Sequence, residues 1–233
     1  MTRAIRHLRS LRARTVAAAF AAVLVAAVGA AAVAPAAVAA PGDTWVSRTP
    51  PINDQYWHGI TYGEGLFVAV AANEVMTSSD GVTWQSRTAP SGIWSAVTYG
   101  GGQFVAVANN GGTFLAMTSP DGITWTGQSG LGTPTNWTGV TYGSGKFVAI
   151  GEQWAASSTD GITWTENATT VVAQWSSVTF GASKFVAVAK AIGGDCTSAS
   201  GTNCVITSSD GLTWAAASAI SGEEWNSVTY GGP

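Results

Sequence analysis

Ser78-Ser79-Asp80-Gly81-Val82-Thr83-Trp84 is one of four copies of a single pattern, Ser-x-Asp-Gly-hydrophobic-Thr-Trp. The others run from Ser119 through Asp121, Gly122 and Thr124 to Trp125, from Ser158 through Asp160, Gly161 and Thr163 to Trp164, and from Ser208 through Asp210, Gly211 and Thr213 to Trp214. Asp-Gly between β-branched residues is hairpin chemistry: glycine supplies positive φ and the aspartate accepts backbone N–H bonds. Ser78 and Thr83 can bond the same turn from either side. A degenerate end of the pattern, Gly42-Asp43-Thr44-Trp45, lies upstream.

Between these copies stands a second unit, Trp-x-x-hydrophobic-Thr-aromatic-Gly, which begins at Trp57, Trp94, Trp137, Trp175 and Trp225. Successive tryptophans are 37, 43, 38 and 50 residues apart, and four of the five units continue into Phe-Val-Ala-Val or Phe-Val-Ala-Ile at Phe67, Phe104, Phe147 and Phe185. A period near forty is that of a four-stranded propeller blade. Within one period, 57–62 and 67–71 read as a hairpin around the turn chemistry of Tyr62-Gly63-Glu64-Gly65, and 75–78 with 82–87 as a second around Asp80-Gly81. The fold expected is therefore an all-β propeller of four-stranded antiparallel blades across residues 40–233. Four complete blades fall at about 57–87, 94–127, 137–166 and 175–216, with a partial fifth made by 43–49 and 225–233.

The Asp-Gly pattern resembles the Asp-box, or bacterial neuraminidase repeat, of sialidase-like β-propellers, which sits on the turn between the third and fourth strands of a blade. Each copy here lacks the residue that the family pattern places between Asp and Gly. The resemblance implies a propeller over 43–230. In that family, sialidases hold the substrate carboxylate with three arginines, but after residue 40 this chain has only Arg48 and Arg87. The expectation is a non-catalytic or fragmentary member. The alternatives are a fragment of a sialidase-like or other glycosidase whose chemistry lies elsewhere, and a propeller resembling the assembly factors of membrane complexes.

Composition narrows the classes further. The 233 residues are 46% hydrophobic and only 10% charged, with 29 Gly and 11 Trp, which excludes a disordered tail, a coiled coil and a basic nucleic-acid binder. Residues 1–39 have the layout of a secretory signal peptide: five arginines from Arg3 to Arg14, an acid-free Ala- and Val-rich run, and Ala37-Val38-Ala39 as the cleavage site. Cleavage removes five of ten basic residues and none of thirteen acids, leaving a net charge of −8. A secreted or cell-surface protein is expected, with no membrane span after cleavage and no nucleic-acid partner.

Cys196 and Cys204 lie eight apart in a Gly- and Ser-rich stretch and are expected to form a local disulfide. After the signal, His58 is the single histidine, so no metal and no cofactor are expected. Each Asp-Gly turn offers one carboxylate where calcium wants six to eight oxygens. His58 itself reads as a strand residue.

The distance from Trp to Phe through the first turn is ten residues in all four repeats, whereas that from Phe to Asp is 13, 17, 13 and 25. The variable linker and the connections between blades share one face, and a ligand site is expected there. Ten of the eleven tryptophans sit at repeat positions and read as packing between blades. Trp154 is the exception, occupying the place of Glu74 in an equal-length linker. The candidate ligand-binding residues are Trp154, Glu152, Glu74, Asp195, Glu223 and Glu224. No catalytic residue is assigned, and the Asp-box residues are expected to be structural. The expected role is a binding or scaffold module for glycan or protein at the cell surface, with self-association if the ring closes between chains.

Overall fold

The computed structural model describes residues 46–47, 50–51, 56–109, 113–132, 136–169, 171, 173–190, 197–198, 201–202, 204–217 and 225–231. The signal peptide, Trp45, Arg48, Asp195, Cys196, Glu223 and Glu224 lie outside the described residues. The chain divides into two units, and the second, Ser47–Pro233, holds every strand among the described residues. Of the first, Met1–Val46, only the exposed Val46 is described.

The protein is an array of propeller blades. The first contains β1 (Gly59–Gly63), β2 (Leu66–Ser78) and the start of β3 (Gln85–Gly100). Aligned on Phe67 and Phe147, the two halves of β2 take the second- and third-strand places, with Asn73 between them at φ 59°. The second blade is the end of β3 with β4 (Gln103–Ala108), β5 (Ala116–Ser119) and β6 (Thr126–Gln128). The third has β7 (Gly139–Gly143), β8 (Lys146–Gly151), β9 (Trp154–Ser158) and β10 (Thr165–Ala168) in antiparallel order. In the fourth, β11 (Gln174–Gly181) and β12 (Lys184–Lys190) pair with β15 (Val205–Ser208) and β16 (Ala215–Ala216). Its long linker carries a small hairpin, β13 (Thr197–Ser198) with β14 (Gly201–Thr202).

One element departs from the separate strands expected of blades one and two. β3 runs unbroken from the outer edge of the first blade to the inner edge of the second, joining both into one six-stranded sheet. The Asn73 side-chain oxygen accepts from Gly92 N at 2.9 Å and from Ser91 Oγ at 3.0 Å, holding the crossover in extended form.

Residues 225–231 follow the fourth blade without strand pairing of their own. They take the place of a fifth first strand: Trp225 N donates to Ala189 O of the preceding blade at 3.1 Å, as Trp137 N donates to Ala108 O at 3.2 Å.

The core lies between blades. Val68 and Val70 of the first blade pack with Trp94, Phe104 and Trp125 of the second. Val105 and Val107 pack with Trp137, Phe147 and Trp164 of the third, and Val148 and Ile150 with Trp175, Phe185 and Trp214 of the fourth. Each tryptophan removes roughly 150–250 Å² from water, about 4–6 kcal/mol gross. In a chain with so few charges, these indoles hold neighbouring sheets together.

Candidate functional site

The Asp-Gly turns form one repeated structure. Asp80 Oδ1 accepts from Val82 N at 2.8 Å and Thr83 N at 2.7 Å, and Ser78 Oγ accepts from Gly81 N at 2.9 Å. Gly81, Gly122, Gly161 and Gly211 have φ between 66° and 79°, which a side chain would strain. Thr124, Thr163 and Thr213 donate their N–H to Asp121, Asp160 and Asp210 in the same way, each 2.7–2.8 Å long. Ser119, Ser158 and Ser208 donate their hydroxyls to those carboxylates. Trp125, Trp164 and Trp214 donate their indole N–H to the carbonyls of Gly122, Gly161 and Gly211.

The carboxylates titrate accordingly. N–H bonds from Thr83 and Val82, with the Ser78 hydroxyl, lower Asp80 to about 2. At Asp210 partial burial pushes upward, but the N–H groups of Thr213 and Leu212 prevail and hold it at about 2. Asp121 and Asp160 are lowered by the same pair of backbone donors. Each accepting oxygen is committed to its own turn. Among the described residues no group of three or more His, Cys, Asp or Glu could hold a metal.

The first turns lie on the same face as the Asp-Gly turns of the next blade. Gln103 Nε2 donates to Asp160 O at 2.9 Å and Lys146 Nζ to Asp210 O at 3.2 Å.

An opening lies on the opposite face. The starts of five first strands, 58–60, 95–97, 138–140, 176–178 and 226–227, line a cavity of about 370 Å³ around the axis. It lies level with the ends of the second strands, since His58 N donates to Val70 O and Thr138 N to Ile150 O. The mouth therefore shares its face with the variable linkers. Among the described residues, no Asp, Glu, Lys or Arg lines it.

A polar belt rings this mouth, made by the residue after each repeat tryptophan. Ser95, Thr138 and Ser176 lie with their hydroxyls on the carbonyls of Trp137, Trp175 and Trp225, each in the following blade. Each hydroxyl also approaches the second strand of its own blade, at the carbonyls of Val107, Ile150 and Val188. His58 Nδ1 lies 3.0 Å from Trp94 O. A carbonyl only accepts, so Nδ1 carries a proton in this contact. The sequence carries the signal for this belt: the residue after all five tryptophans is His, Ser, Thr, Ser or Asn.

The candidate ligand residues within the described set do not converge on the mouth. Glu74 is half-buried in strand pairing opposite Thr88. Glu152, at φ 33°, accepts a hydrogen bond from Asn136 Nδ2. Trp154 opens β9, half-buried, and packs on the core cluster between the second and third blades. Arg87 donates to Thr77 Oγ1 and Gln85 Oε1 within its own blade.

No protein-family model and no curated protein matches the chain. Solved structures do. Virginiamycin B lyase from Staphylococcus aureus is similar over 74% of this chain and 59% of its own, at 16% identity and TM-score 0.59. YCF48 from Cyanidioschyzon merolae is similar over 75% and 59%, at 15% identity and TM-score 0.53. A YCF48 structure bound to a D1 peptide matches at 14% identity and TM-score 0.51. These likenesses carry the propeller fold. The chain spans about three-fifths of the length of this virginiamycin B lyase and of this YCF48.

Proposed function

We propose that this chain is a secreted, non-catalytic binding module of the Asp-box type that takes a protein ligand at the mouth of its axial cavity, on the face of the variable linkers. The observation that carries the reading is the polar belt. It is a fixed ring of hydrogen-bonding groups, the hydroxyls of Ser95, Thr138 and Ser176 among them, held by blade-to-blade bonds and facing an opening of about 370 Å³. Because the hydroxyl hydrogens of Ser95, Thr138 and Ser176 point at carbonyls, their lone pairs are what a ligand meets. Backbone N–H groups of an extended peptide complement such a ring. The YCF48 structure bound to a D1 peptide supports a peptide ligand as precedent on a similar fold. The repeat tryptophans at blade interfaces do not supply a stacking platform for sugar, with Trp94, Trp137 and Trp175 at most 1% exposed.

A glycan is the second reading, and Tyr56 favours it: the residue is 86% exposed, two residues before His58, and its aromatic ring suits stacking on a sugar. The test is selection of peptides from a displayed library in parallel with a glycan array, followed by Ser227→Trp to fill the mouth from its exposed rim. Selected peptides should lose about tenfold or more in affinity with Ser227→Trp and be unaffected by Asp121→Asn on the opposite face. Peptides that bind the filled variant equally well sink the peptide reading, and array hits lost on Tyr56→Ala would favour the glycan.

A further inference from the structure

Arg87, Gln128 and Asn167 stand at one repeat position, three residues after an Asp-box tryptophan. Between the third and fourth blades this position closes the interface, where Asn167 Nδ2 donates to Leu212 O at 3.3 Å. Between the second and third, the chain after Gln128 folds over its neighbour. A Cβ on Gly130 would lie 1.9 Å from Ile162 O, Leu131 is buried in the cluster between those blades, and the Gly132 N–H meets the Glu166 carboxylate. Between the first and second blades the chain after Arg87 runs on as β3. It leaves a groove of about 450 Å³ lined by Ser86, Arg87, Thr88, Ile123, Thr124 and Trp125. Ile123 holds the place of Ile162 and Leu212, and among the described residues nothing donates to its carbonyl. Val75, opposite Arg87 in the ladder, is buried with Trp125, so Arg87 faces the second blade, while Glu74, opposite Thr88, points to the sheet's other face. Two bonds fix the guanidinium, Nε to Thr77 Oγ1 at 2.9 Å and Nη2 to Gln85 Oε1 at 2.8 Å. Three of its five N–H donors are left, and among the described residues no carboxylate pairs with it.

We propose that this groove is a further binding site, taking an extended peptide segment of a partner protein with an acidic side chain: the carboxylate lies on Arg87 and a backbone N–H on the Ile123 carbonyl. The class of occupant is set by the neighbouring interface, where the same place is filled by polypeptide, residues 130–132 of this chain. The acid is set by Arg87, which stands where the other two interfaces have the neutral Gln128 and Asn167. A guanidinium held in place with N–H groups to spare is a donor set that a carboxylate matches, and such charge-assisted bonds are stronger than neutral ones. None of the six lining residues lines the axial mouth, so the groove stands apart from the site proposed there.

The experiment follows the backbone amides of the purified full protein by NMR while two pools of capped hexapeptides are added, one with a fixed central glutamate and one with glutamine in its place. The glutamate pool should shift the amides of Arg87, Thr88 and Thr124, and the glutamine pool should need about fivefold or more concentration for the same shift. Arg87→Gln installs the residue of the second blade, whose Gln128 Nε2 donates to Thr118 Oγ1 at 2.9 Å as Arg87 Nε donates to Thr77 Oγ1. The anchor is thereby kept, and the variant should answer the glutamate pool as the wild type answers glutamine. Equal shifts from the two pools, no shift at these amides, or an Arg87→Gln protein that responds as the wild type does would each overturn the proposal. Acetate that matches the glutamate pool at equal concentration would leave the peptide without a part and overturn it too. Asp54→Asn tests the chain's own segment 52–55 as occupant: amides 86–88 that shift in the free variant would assign the groove to that segment and not to a partner. Shifts at Ser95 and Thr138 report the axial mouth separately.

Discussion

Gly63 lies directly beneath the ring of Tyr99, with room for a hydrogen and not for a methyl group. The relationship recurs at Gly100 beneath Tyr142 and Gly143 beneath Phe180, so the glycine of Thr-aromatic-Gly is a steric requirement of the neighbouring blade. Its own backbone does not require glycine. In the first turn the positive φ angles fall on the next two residues, Glu64 at 48° and Gly65 at 75°. Gly100→Ala should therefore cost about 1–3 kcal/mol through overpacking. Gly102→Ala, at φ 82° with open space around it, should cost about 1 kcal/mol through backbone strain alone. Urea midpoints at unchanged slope check both, and equal effects would remove the socket argument.

The Asp-Gly turns predict acid sensitivity with a defined direction. Asp80 and Asp210 are held at about 2 against an ordinary 3.8. Folding therefore favours their ionised form, and the stability they contribute is complete above pH about 4. It is lost as pH falls from about 4 toward 2. Because the groups are exposed to solvent, the effect of each is small, and the four turns act together. Urea titrations at pH 6, 4, 3 and 2.5 should show stability declining only below about 4. Asp121→Asn keeps an acceptor oxygen but no titration, and should shallow that decline. A profile unchanged by the substitution would show that the turns are not its source.

The propeller was legible because its determinants are local and repeated. Asp80-Gly81 and its three copies specify hairpins, and the forty-residue period specifies the blade. Burial of Trp94, Trp137 and Trp175 followed from the same period. What crosses between blades was less legible, since a repeat shows which residue recurs and not what it faces. Gly63 read as turn chemistry, and its role as a seat for Tyr99, 36 residues away, needed the curvature of the array. Ser95 and Thr138 are likewise unremarkable serine and threonine until the carbonyl of the following tryptophan is placed against them. The linker residues Glu152 and Trp154 stood out because their positions vary, but variation marks an exposed face and does not bring side chains together.

The belt makes a separable prediction. Thr138 Oγ1 donates to Trp175 O, while Ile150 O keeps the Thr138 N–H bond at 2.9 Å without it. Thr138→Val preserves the shape and deletes the donor, leaving the Trp175 carbonyl without its partner from the neighbouring blade. The expected loss is about 1–2 kcal/mol, with Thr138→Ser close to wild type. Matching losses for Val and Ser would assign the effect to the methyl group and remove the hydroxyl from the argument.

The proposed Cys196–Cys204 disulfide should staple the linker of the fourth blade and nothing else. Cys204 is 3% exposed at the entry to β15, and its carbonyl accepts from Ala189 N at 2.9 Å. Thr197 pairs with Thr202 and Ser198 with Gly201, so the two cysteines flank the small hairpin in sequence. Closing so short a loop restricts the unfolded chain by about 2–3 kcal/mol at most. The β12–β15 ladder from Phe185↔Ser208 to Val188↔Val205 does not depend on it. Reduction should therefore remove amide-exchange protection over 197–202 while β12 and β15 keep theirs. Alkylation of both thiols in the native, unreduced protein would refute the bond, and loss of protection throughout the fourth blade would show that the staple supports more than its own hairpin.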